Sequence, residues 1–288
     1  MGGDAVNDLS PGLRARVLLQ KHGFQAAHAL GQNFLMDESL LSHLIDLSGV
    51  TMEDDVLEIG PGPGVMTYLL SRRAHSVTAV EVDKRLEPVL SGLLEGCENT
   101  RVVFADALKA DLSALAAPGA RVVANLPYYI TADVISRLLL RGPGFASIAV
   151  MVQKEAAERM SSLPGQKQWC HLAATVRYFG EPHILEEIPP EAFEPSPHVT
   201  STFLRIDMYE ERPVRPRDEA LFLRVLAAAF AMRRKTLANN LRAAFSLDAD
   251  AAREVLLRAG LPAQVRGEAV PLEGLARLSD ALGEMHFS

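Results

Sequence analysis

The middle of the chain alternates between short apolar runs and amphipathic stretches, a pattern typical of strands followed by helices. The runs are three to six residues long and rich in valine, which favours buried strands. The predicted strands are residues 56–59, 77–80, 102–104, 121–124 and 147–152. Helices are predicted at residues 65–73, 131–140 and 154–160. This alternation predicts an open α/β sheet, mostly parallel, with helices on its faces.

The segments on either side of this region have their own patterns. Before it, residues 11–21 form an amphipathic stretch, and Asp37 is placed to cap a helix at 38–47. After it, residues 173–178 and 201–206 are predicted as two further strands that make a hairpin-like edge.

The chain is predicted to form two domains. Residues 1–209 hold the sheet, and within them residues 1–50 are expected to fold as a lid over the strand ends. A linker rich in arginine and proline at 212–217 begins the second domain, residues 210–288, which shows the periodicity of a small helical domain.

Composition restricts the class of protein. The chain has 288 residues, of which 48% are hydrophobic, so it has enough apolar surface for a large core. Its apolar runs are too short to cross a bilayer, and an apolar signal segment is missing, so we expect a cytoplasmic protein without membrane association. Cys97 and Cys170 are too few for a disulfide framework, and the histidines lack metal-ligand spacing, so no metal is expected.

The first predicted strand leads into a glycine-rich loop, Gly60-Pro61-Gly62-Pro63-Gly64. Glycines let a ligand approach the backbone, and Glu81 ends the second strand, where nucleotide-binding folds place an acid that holds ribose hydroxyls. The two prolines remove N–H groups that a pyrophosphate would need, so a nucleoside without phosphates fits better. A tight strand-to-helix turn without a ligand is the alternative.

Polar residues also follow the third and fourth strands. Asp106 is suited either to accept a hydrogen bond from an adenine amine or to cap a helix. Asn125 begins the tetrapeptide Asn125-Leu126-Pro127-Tyr128 at the end of the next strand. Because the carboxyl ends of parallel strands meet at one edge of a sheet, we expect one ligand site there.

This tetrapeptide has the groups needed to activate an aromatic amine, whose lone pair is delocalised into the ring. The side-chain carbonyl of Asn125 and the main-chain carbonyl of Leu126 can hold the two amine hydrogens, while Pro127 stiffens the turn and Tyr128 stacks on the base. The tetrapeptide therefore predicts an amine-methylation site. The alternative is a strand that ends in a proline turn with a packed tyrosine.

Eight motifs occur together in the order and spacing of one family. They are Gly31-Gln32-Asn33-Phe34-Leu35, Glu58-Ile59-Gly60-Pro61-Gly62, Glu81-Val82-Asp83, Asp106-Ala107, the tetrapeptide at 125–128, Val152-Gln153-Lys154-Glu155, Phe193-x-Pro195-x-Pro197-x-Val199-x-Ser201 and Arg233-Arg234-Lys235-Thr236-Leu237. From about residue 21 to 241, the chain thus resembles the KsgA/RsmA family of rRNA adenine dimethyltransferases. The resemblance implies a Rossmann-like class I methyltransferase sheet with a small C-terminal helical domain.

The resemblance also implies an activity. It is S-adenosyl-L-methionine-dependent dimethylation of N6 on two adjacent adenosines in the hairpin loop near the 3′ end of 16S rRNA, within a small-subunit ribosomal particle, as a step of ribosome biogenesis. A monomer is expected. The residues implied for the cofactor are Asn33 and Leu35 at its methionine end, Gly60 in its cradle, Glu81 at the ribose, Asp106 at the adenine, and Asn125, which also contacts the target amine. Phe193 is implied to stack on the flipped base opposite Tyr128.

The basic residues are concentrated in one segment although the net charge is −7. Residues 212–242 carry eight basic side chains, including the adjacent Arg233, Arg234 and Lys235. Such a triplet is either an ordinary solvated face or a contact to rRNA phosphates, and its basic surroundings favour the contact.

Two stretches depart from the family pattern, and three alternative functions stay open. Ala26-Ala27-His28-Ala29-Leu30 replaces basic residues, and Trp169-Cys170 replaces an aromatic residue followed by glycine, which is expected to reshape the edge of the target pocket. The alternatives are a large-subunit rRNA methyltransferase of the antibiotic-resistance type, a protein or DNA amine methyltransferase, and a non-catalytic RNA-binding relative.

Overall fold

The structure, a computed structural model, describes residues 9–27 and 30–286. All the strands and helices predicted between residues 11 and 160 form, each within two residues of its predicted bounds. The strands of the described chain are β1 (Phe34–Leu35), β2 (Asp55–Ile59), β3 (Ser76–Glu81), β4 (Thr100–Phe104), β5 (Arg121–Asn125), β6 (Ser147–Gln153), β7 (Gly180–Ile188), β8 (Phe193–Glu194) and β9 (Ser201–Met208). The α-helices are α1 (Pro11–Lys21), α2 (Glu38–Ser48), α3 (Val65–Ser71), α4 (Glu87–Leu93), α5 (Leu112–Leu115), α6 (Thr131–Arg141), α7 (Lys154–Met160), α8 (His171–Phe179), α9 (Glu219–Ala231), α10 (Leu237–Phe245), α11 (Ala249–Arg258) and α12 (Leu272–His286).

The central sheet has the strand order β4-β3-β2-β5-β6-β9-β7. Its strands from β4 to β6 are parallel, and β9 is antiparallel to β6. The side chains of β6 from Ile148 to Val152 are all buried, as expected for a strand in a sheet that is covered on both faces. The register pairs Ile59 with both Val80 and Ala124, so the carboxyl ends of β2, β3 and β5 meet at one edge.

The prediction of a strand at residues 173–178 is wrong. These residues belong to helix α8, and the strand next to β9 is instead β7. Most side chains of α8 from Ala173 to Phe179 are buried, so the segment lacks the wide polar stripe of a surface helix. The periodicity of a short apolar run that is buried on most sides does not distinguish a helix from a strand. The other predicted edge strand, 201–206, is confirmed as β9.

The segment that precedes β2 is fixed at two places. Asp37 caps helix α2 as predicted, because its carboxylate accepts hydrogen bonds from the main-chain N–H groups of Ser39 and Leu40 at 2.8 and 3.1 Å. Just before it, β1 pairs antiparallel with β8, and Leu35 lies opposite Phe193. The lid is therefore held in part by residues that follow the whole parallel sheet in sequence.

Contacts divide the chain into two compact units. The first contains the described residues up to Ala157 together with His183–Met208, and the second contains Glu158–Pro182 together with the described residues from Tyr209 onward. Helices α9 to α12 belong to the second unit, and so does α8, which lies inside the predicted domain 1–209. Within residues 9–27 and 30–286, none of the helices combines the length and the apolar character that a bilayer span requires.

Candidate active site

A pocket of about 300 Å³ opens at the carboxyl edge of the parallel strands. It is lined by the lid, the glycine-rich loop after β2 and the residues that follow β3, β4 and β5. The predicted site residues on this lining are Asn33, Gly60, Glu81, Asp106, Asn125, Leu126, Pro127 and Tyr128. The structure therefore brings together residues that the sequence separates by almost a hundred positions.

Glu81 joins the glycine-rich loop to the end of β3. Its side chain is only 5% exposed, and its carboxylate accepts hydrogen bonds from the main-chain N–H groups of Gly62 at 3.1 Å and Asp83 at 2.8 Å. Burial raises the pKa of Glu81, and the main-chain donors oppose this shift. A carboxylate held in this way has lone pairs left to accept hydrogen bonds from a ligand's hydroxyl groups.

The loop itself requires glycine where the lid crosses it. Gly62 has φ of 55°, and a Cβ built on it would lie 2.8 Å from the ring of Phe34. The glycine-rich loop is thus packed against the lid, and both border a second, smaller cavity of about 30 Å³. Leu35 lines that cavity instead of the larger pocket.

Asp106 closes a turn after β4. Its Oδ1 accepts a 2.9 Å hydrogen bond from the main-chain N–H of Leu108, and its Oδ2 lies 3.3 Å from the Nζ atom of the exposed Lys109. The prediction that Asp106 caps a helix is wrong, because the residues that follow it form a turn and the next helix begins at Leu112. Because its side chain also lines the pocket, the adenine contact stays a prediction.

The orientation of Asn125 is set by the lid. Its Nδ2 atom donates a 2.9 Å hydrogen bond to the main-chain carbonyl oxygen of Asn33. With the NH₂ group occupied, the side-chain oxygen is the atom that remains to accept a hydrogen bond in the pocket. The acceptor role that the sequence predicts for Asn125 stays a prediction.

Two tyrosines follow at the mouth of the pocket. Tyr128 is half-buried, and its hydroxyl lies 2.6 Å from Ser201 Oγ; burial raises the pKa of the phenol. Tyr129, which the sequence analysis did not single out, lines the same pocket with 61% of its side chain exposed. Exposure of an aromatic ring beside a pocket is a signal that only the structure supplies.

Phe193 lies away from the pocket in this structure. It is 3% exposed, belongs to the core cluster that also contains Leu35, and does not line the pocket. Stacking on a flipped base requires Phe193 to become exposed, and this role stays a prediction.

Sequence reasoning also missed Glu58, which precedes the glycine-rich loop on β2. Its side chain is 0% exposed, and neither carboxylate oxygen makes a hydrogen bond of acceptable geometry to another described residue. Burial raises the pKa of Glu58 to about 8; the nearby hydroxyl of Thr67 opposes the shift, and the charge of Glu81 adds to it. Burial therefore favours the protonated form of Glu58 in the folded protein.

A further set of contacts, also missed, fastens the lid to the end of β3. Gln32 Nε2 donates a 2.9 Å hydrogen bond to Asp83 Oδ2, which also accepts one from Arg85 Nη2 at 2.6 Å. The guanidinium of Arg85 lies 5.1 Å from the ring centroid of Phe24. Hydrogen bonding to Arg85 lowers the pKa of Asp83, so its charge is maintained.

The three adjacent basic residues differ in their surroundings. Arg233 is engaged, with Nε 3.0 Å from Glu268 Oε2 and Nη2 2.8 Å from the main-chain oxygen of Lys167. Arg234 and Lys235 are exposed in the turn before α10. All three side chains are exposed, and Arg233 differs in making these two contacts.

The departures from the family pattern have separate outcomes. Trp169 is buried and packs edge-on against Phe230 within the second unit, and its effect on the pocket edge stays a prediction. In the stretch 26–30, His28 and Ala29 lie outside the described residues. In the described part of the chain, the histidine, cysteine, aspartate and glutamate side chains form no group of three or more that could hold a metal ion.

Residues 23–264 match the family model described as ribosomal RNA adenine dimethylase. A protein named ribosomal RNA small subunit methyltransferase A, from Shouchella clausii, is 40% identical over 283 residues, which is 96% of this chain and 96% of the relative. The protein of the same name from Geobacillus thermodenitrificans is 38% identical over 95% of this chain and 96% of its own length.

Solved structures show the same fold. A dimethyladenosine transferase from Plasmodium falciparum superposes with a TM-score of 0.73 at 24% identity, covering 88% of this chain and 98% of that chain. The 23S rRNA methyltransferase ErmE superposes with a TM-score of 0.64 at 26% identity, covering 87% of this chain and 100% of that chain. These likenesses confirm the predicted fold class.

Proposed function

The chain belongs to the ribosomal RNA adenine dimethylase family, and from this premise we propose that it dimethylates N6 of two adjacent adenosines near the 3′ end of small-subunit rRNA. The observation that carries the proposal is the full-length similarity to relatives named ribosomal RNA small subunit methyltransferase A. The substrate is proposed to be 16S rRNA within a small-subunit ribosomal particle, and the enzyme a cytoplasmic monomer that acts during ribosome biogenesis.

The proposed methyl donor is S-adenosyl-L-methionine, and the pocket has side chains suited to it. Glu81 is proposed to accept hydrogen bonds from the ribose hydroxyls and Asp106 from the adenine amine, at the ends of neighbouring strands. Asn33 and Leu35 are proposed to bind the methionine end of the cofactor. Gly60 is proposed to form part of the backbone-lined cradle around it. When bound, the cofactor would supply the methyl group of its sulfonium centre. The rest of the cofactor would then leave as a neutral thioether.

The residues of the chain position and activate the amine. The Asn125 side-chain oxygen, oriented by the bond from Nδ2 to Asn33, accepts one amine hydrogen, and the main-chain oxygen of Leu126 accepts the other. These acceptors favour a pyramidal nitrogen whose lone pair is directed out of the ring plane. Because the acceptors bind more strongly as positive charge develops on nitrogen, the contact stabilises the transition state more than the ground state.

Tyr128 is proposed to hold the base flat against its ring. The hydrogen bond between its hydroxyl and Ser201 restrains the position of the ring before the substrate arrives, which lowers the entropy lost on binding. Phe193 is proposed to supply the opposite face once the base has entered the site.

The test is transfer of labelled methyl groups from S-adenosylmethionine to undermethylated small subunits, with large subunits and free rRNA as parallel substrates. We expect four methyl groups per small subunit, located at two adjacent N6 positions by mass spectrometry of the digested RNA. Preferential labelling of large subunits would favour instead a 23S rRNA methyltransferase, the activity for which ErmE is named. If no RNA were labelled, the proposed methyltransferase function would be rejected.

A further inference from the structure

A first route of contacts leads from Glu81 to the lid through Asp83. The main-chain N–H of Asp83 donates a 2.8 Å hydrogen bond to Glu81, and the carboxylate of Asp83 accepts one from Gln32 Nε2 at 2.9 Å. The side-chain oxygen of Gln32 in turn accepts a 2.8 Å hydrogen bond from the main-chain N–H of Ala27. Because Gln32 uses both ends of its amide, it ties the chain near Ala27 to the end of β3.

A second route leads from Glu81 to the lid through the glycine-rich loop. The main-chain N–H of Gly62 donates to Glu81, and the ring of Phe34 packs directly against Gly62. The ring centroid of Phe34 lies 6.1 Å from that of Phe24, which in turn lies 5.1 Å from the guanidinium of Arg85. Since this guanidinium binds the carboxylate of the first route, the two routes join into a closed ring of contacts that includes Glu81.

Arg85 supplies the countercharge within this ring. Its Nε and Nη2 atoms donate hydrogen bonds to Oδ1 and Oδ2 of Asp83 at 2.8 and 2.6 Å, a bidentate contact that fixes the plane of the carboxylate. The side chain of Asp83 is nearly buried, so removal of Arg85 would leave a desolvated negative charge without its countercharge. That charge would also repel the carboxylate of Glu81, which lies two positions earlier in the chain.

We propose that Asp83 and Arg85 are positioning residues for the cofactor, which orient the carboxylate of Glu81 toward the ribose and, through Gln32, hold the lid at the pocket. This inference rests on the proposed function, which supplies the identity of the cofactor and the ribose contact. Gln32 lines the pocket, whereas Asp83 and Arg85 do not, so these two act on the ligand through other residues. A carboxylate and a lid that are already in place lose less conformational entropy when the ligand binds.

The experiment measures the Kd of S-adenosylmethionine by titration calorimetry in the absence of RNA. Arg85→Ala should raise this Kd about 10-fold, because the ribose contact is no longer preorganised. Arg205→Ala is the matched control: Arg205 makes the same bidentate contact with Asp207, two residues away, at 2.8 and 2.9 Å, and does not line the pocket. Both variants should melt at a lower temperature than wild type, but only Arg85→Ala should bind the cofactor more weakly.

Arg85→Lys provides the same test if the alanine variant does not fold. Lysine keeps the charge but cannot make the bidentate contact, so the Kd should still rise about 3-fold. The hold on the lid is measured by hydrogen exchange of residues 21–27 in the protein without cofactor. Exchange there should be faster than wild type in the Arg85 variant and equal to wild type in Arg205→Ala.

A double-mutant cycle tests whether Arg85 and the lid act together. Because Arg85 and Gln32 both act through Asp83, the Kd of Gln32→Ala/Arg85→Ala should be smaller than the product of the two separate effects predicts. Effects that multiply in the double variant would overturn the proposed link between them.

An unchanged Kd in the folded Arg85 variant, or an equal rise in Arg205→Ala, would overturn the positioning role. Unchanged exchange of residues 21–27 would overturn the hold on the lid. Failure of the proposed function is recognised separately, because wild type would then bind the cofactor without transferring methyl groups to small subunits. A wild type that binds no S-adenosylmethionine would overturn both.

Discussion

The side-chain NH₂ of Asn125 and the main-chain oxygen of Asn33 are joined by a hydrogen bond of 2.9 Å, across 92 positions of sequence. One end of this bond belongs to the strand that carries the predicted chemistry, and the other belongs to the lid. The bond therefore orients the acceptor oxygen of Asn125 only when the lid is in place. This contact thus joins the residue that is proposed to activate the target amine to the segment that precedes the sheet.

Asn125→Ala should lower the single-turnover methylation rate about 10²-fold or more, because it removes an acceptor that acts mainly in the transition state. Affinity for rRNA should change little. The measurement is transfer to undermethylated small subunits at saturating cofactor, with thermal melting to verify folding. Asn125→Asp keeps an acceptor but loses the donor to Asn33, so intermediate activity is expected. A near-normal rate in a well-folded Asn125→Ala protein would contradict the assignment.

Tyr128→Phe should retain most of the activity, because the ring that stacks on the base is unchanged. It loses the hydrogen bond to Ser201, which should lower the free energy of unfolding by about 1 kcal/mol. Tyr128→Ala should lose both the stacking ring and the hydrogen bond, so its activity and its free energy of unfolding should both fall. Comparing the two variants by single-turnover rate and by denaturant unfolding separates stacking from stability; equal rates for phenylalanine and alanine would exclude stacking.

Glu81→Ala should raise the Kd of S-adenosylmethionine by about 10- to 100-fold, since charge-assisted hydrogen bonds to the ribose contribute about 1.5–3 kcal/mol. Part of the loss would come from the glycine-rich loop, because Gly62 loses its acceptor. Titration calorimetry gives the affinity, and Glu95→Ala at an exposed position is the control. An unaltered Kd would remove Glu81 from the cofactor site.

Stability should fall with rising pH through the range set by Glu58. Its pKa is about 8 in the folded protein and near 4.5 when exposed, so between these values the unfolded chain gives up a proton that the folded protein keeps. The effect is absent below about pH 4.5 and complete above about pH 8. Glu58→Gln removes this proton uptake, so its melting temperature should exceed that of wild type by an amount that grows to about 5 °C or more by pH 8. A difference between the two proteins that is constant from pH 5 to 9 would contradict the shift.

The sequence predicts those parts of the fold that depend on local pattern. The strands from β2 to β6 were found because valine-rich runs alternate with amphipathic helices, and the capping of α2 by Asp37 was found from one side chain. The segment 173–178 was predicted as a strand although it lies in helix α8. Most of its side chains are buried, so it lacks the polar stripe by which a surface helix is recognised. The pairing of β1 with β8 involves two residues on each side, too few for any periodicity.

The site follows the same division. Glu81, Asp106 and Asn125 were predicted because each ends a parallel strand, and the topology of such sheets brings strand ends together. The contact of Gln32 with Asp83 and the position of Tyr129 on the pocket lining were not predicted, because both depend on residues distant in sequence. The burial of Phe193 was also not predictable, since a motif gives no information on which conformation of a side chain is populated.

The pairing of β1 with β8 has a consequence for the order of events during synthesis. The lid is among the first parts of the chain to be made, yet its partner strand follows about 160 residues later, and the nearby contact between Arg16 and Glu194 spans 178 positions. At roughly 5–20 residues per second, a nascent lid therefore waits about 10–30 s before the segment that secures it has been translated. A truncated product that ends before β8 would keep the contacts of the lid with Asp83 and Asn125 but lack this strand pairing, so its lid should be held less firmly than that of the finished chain.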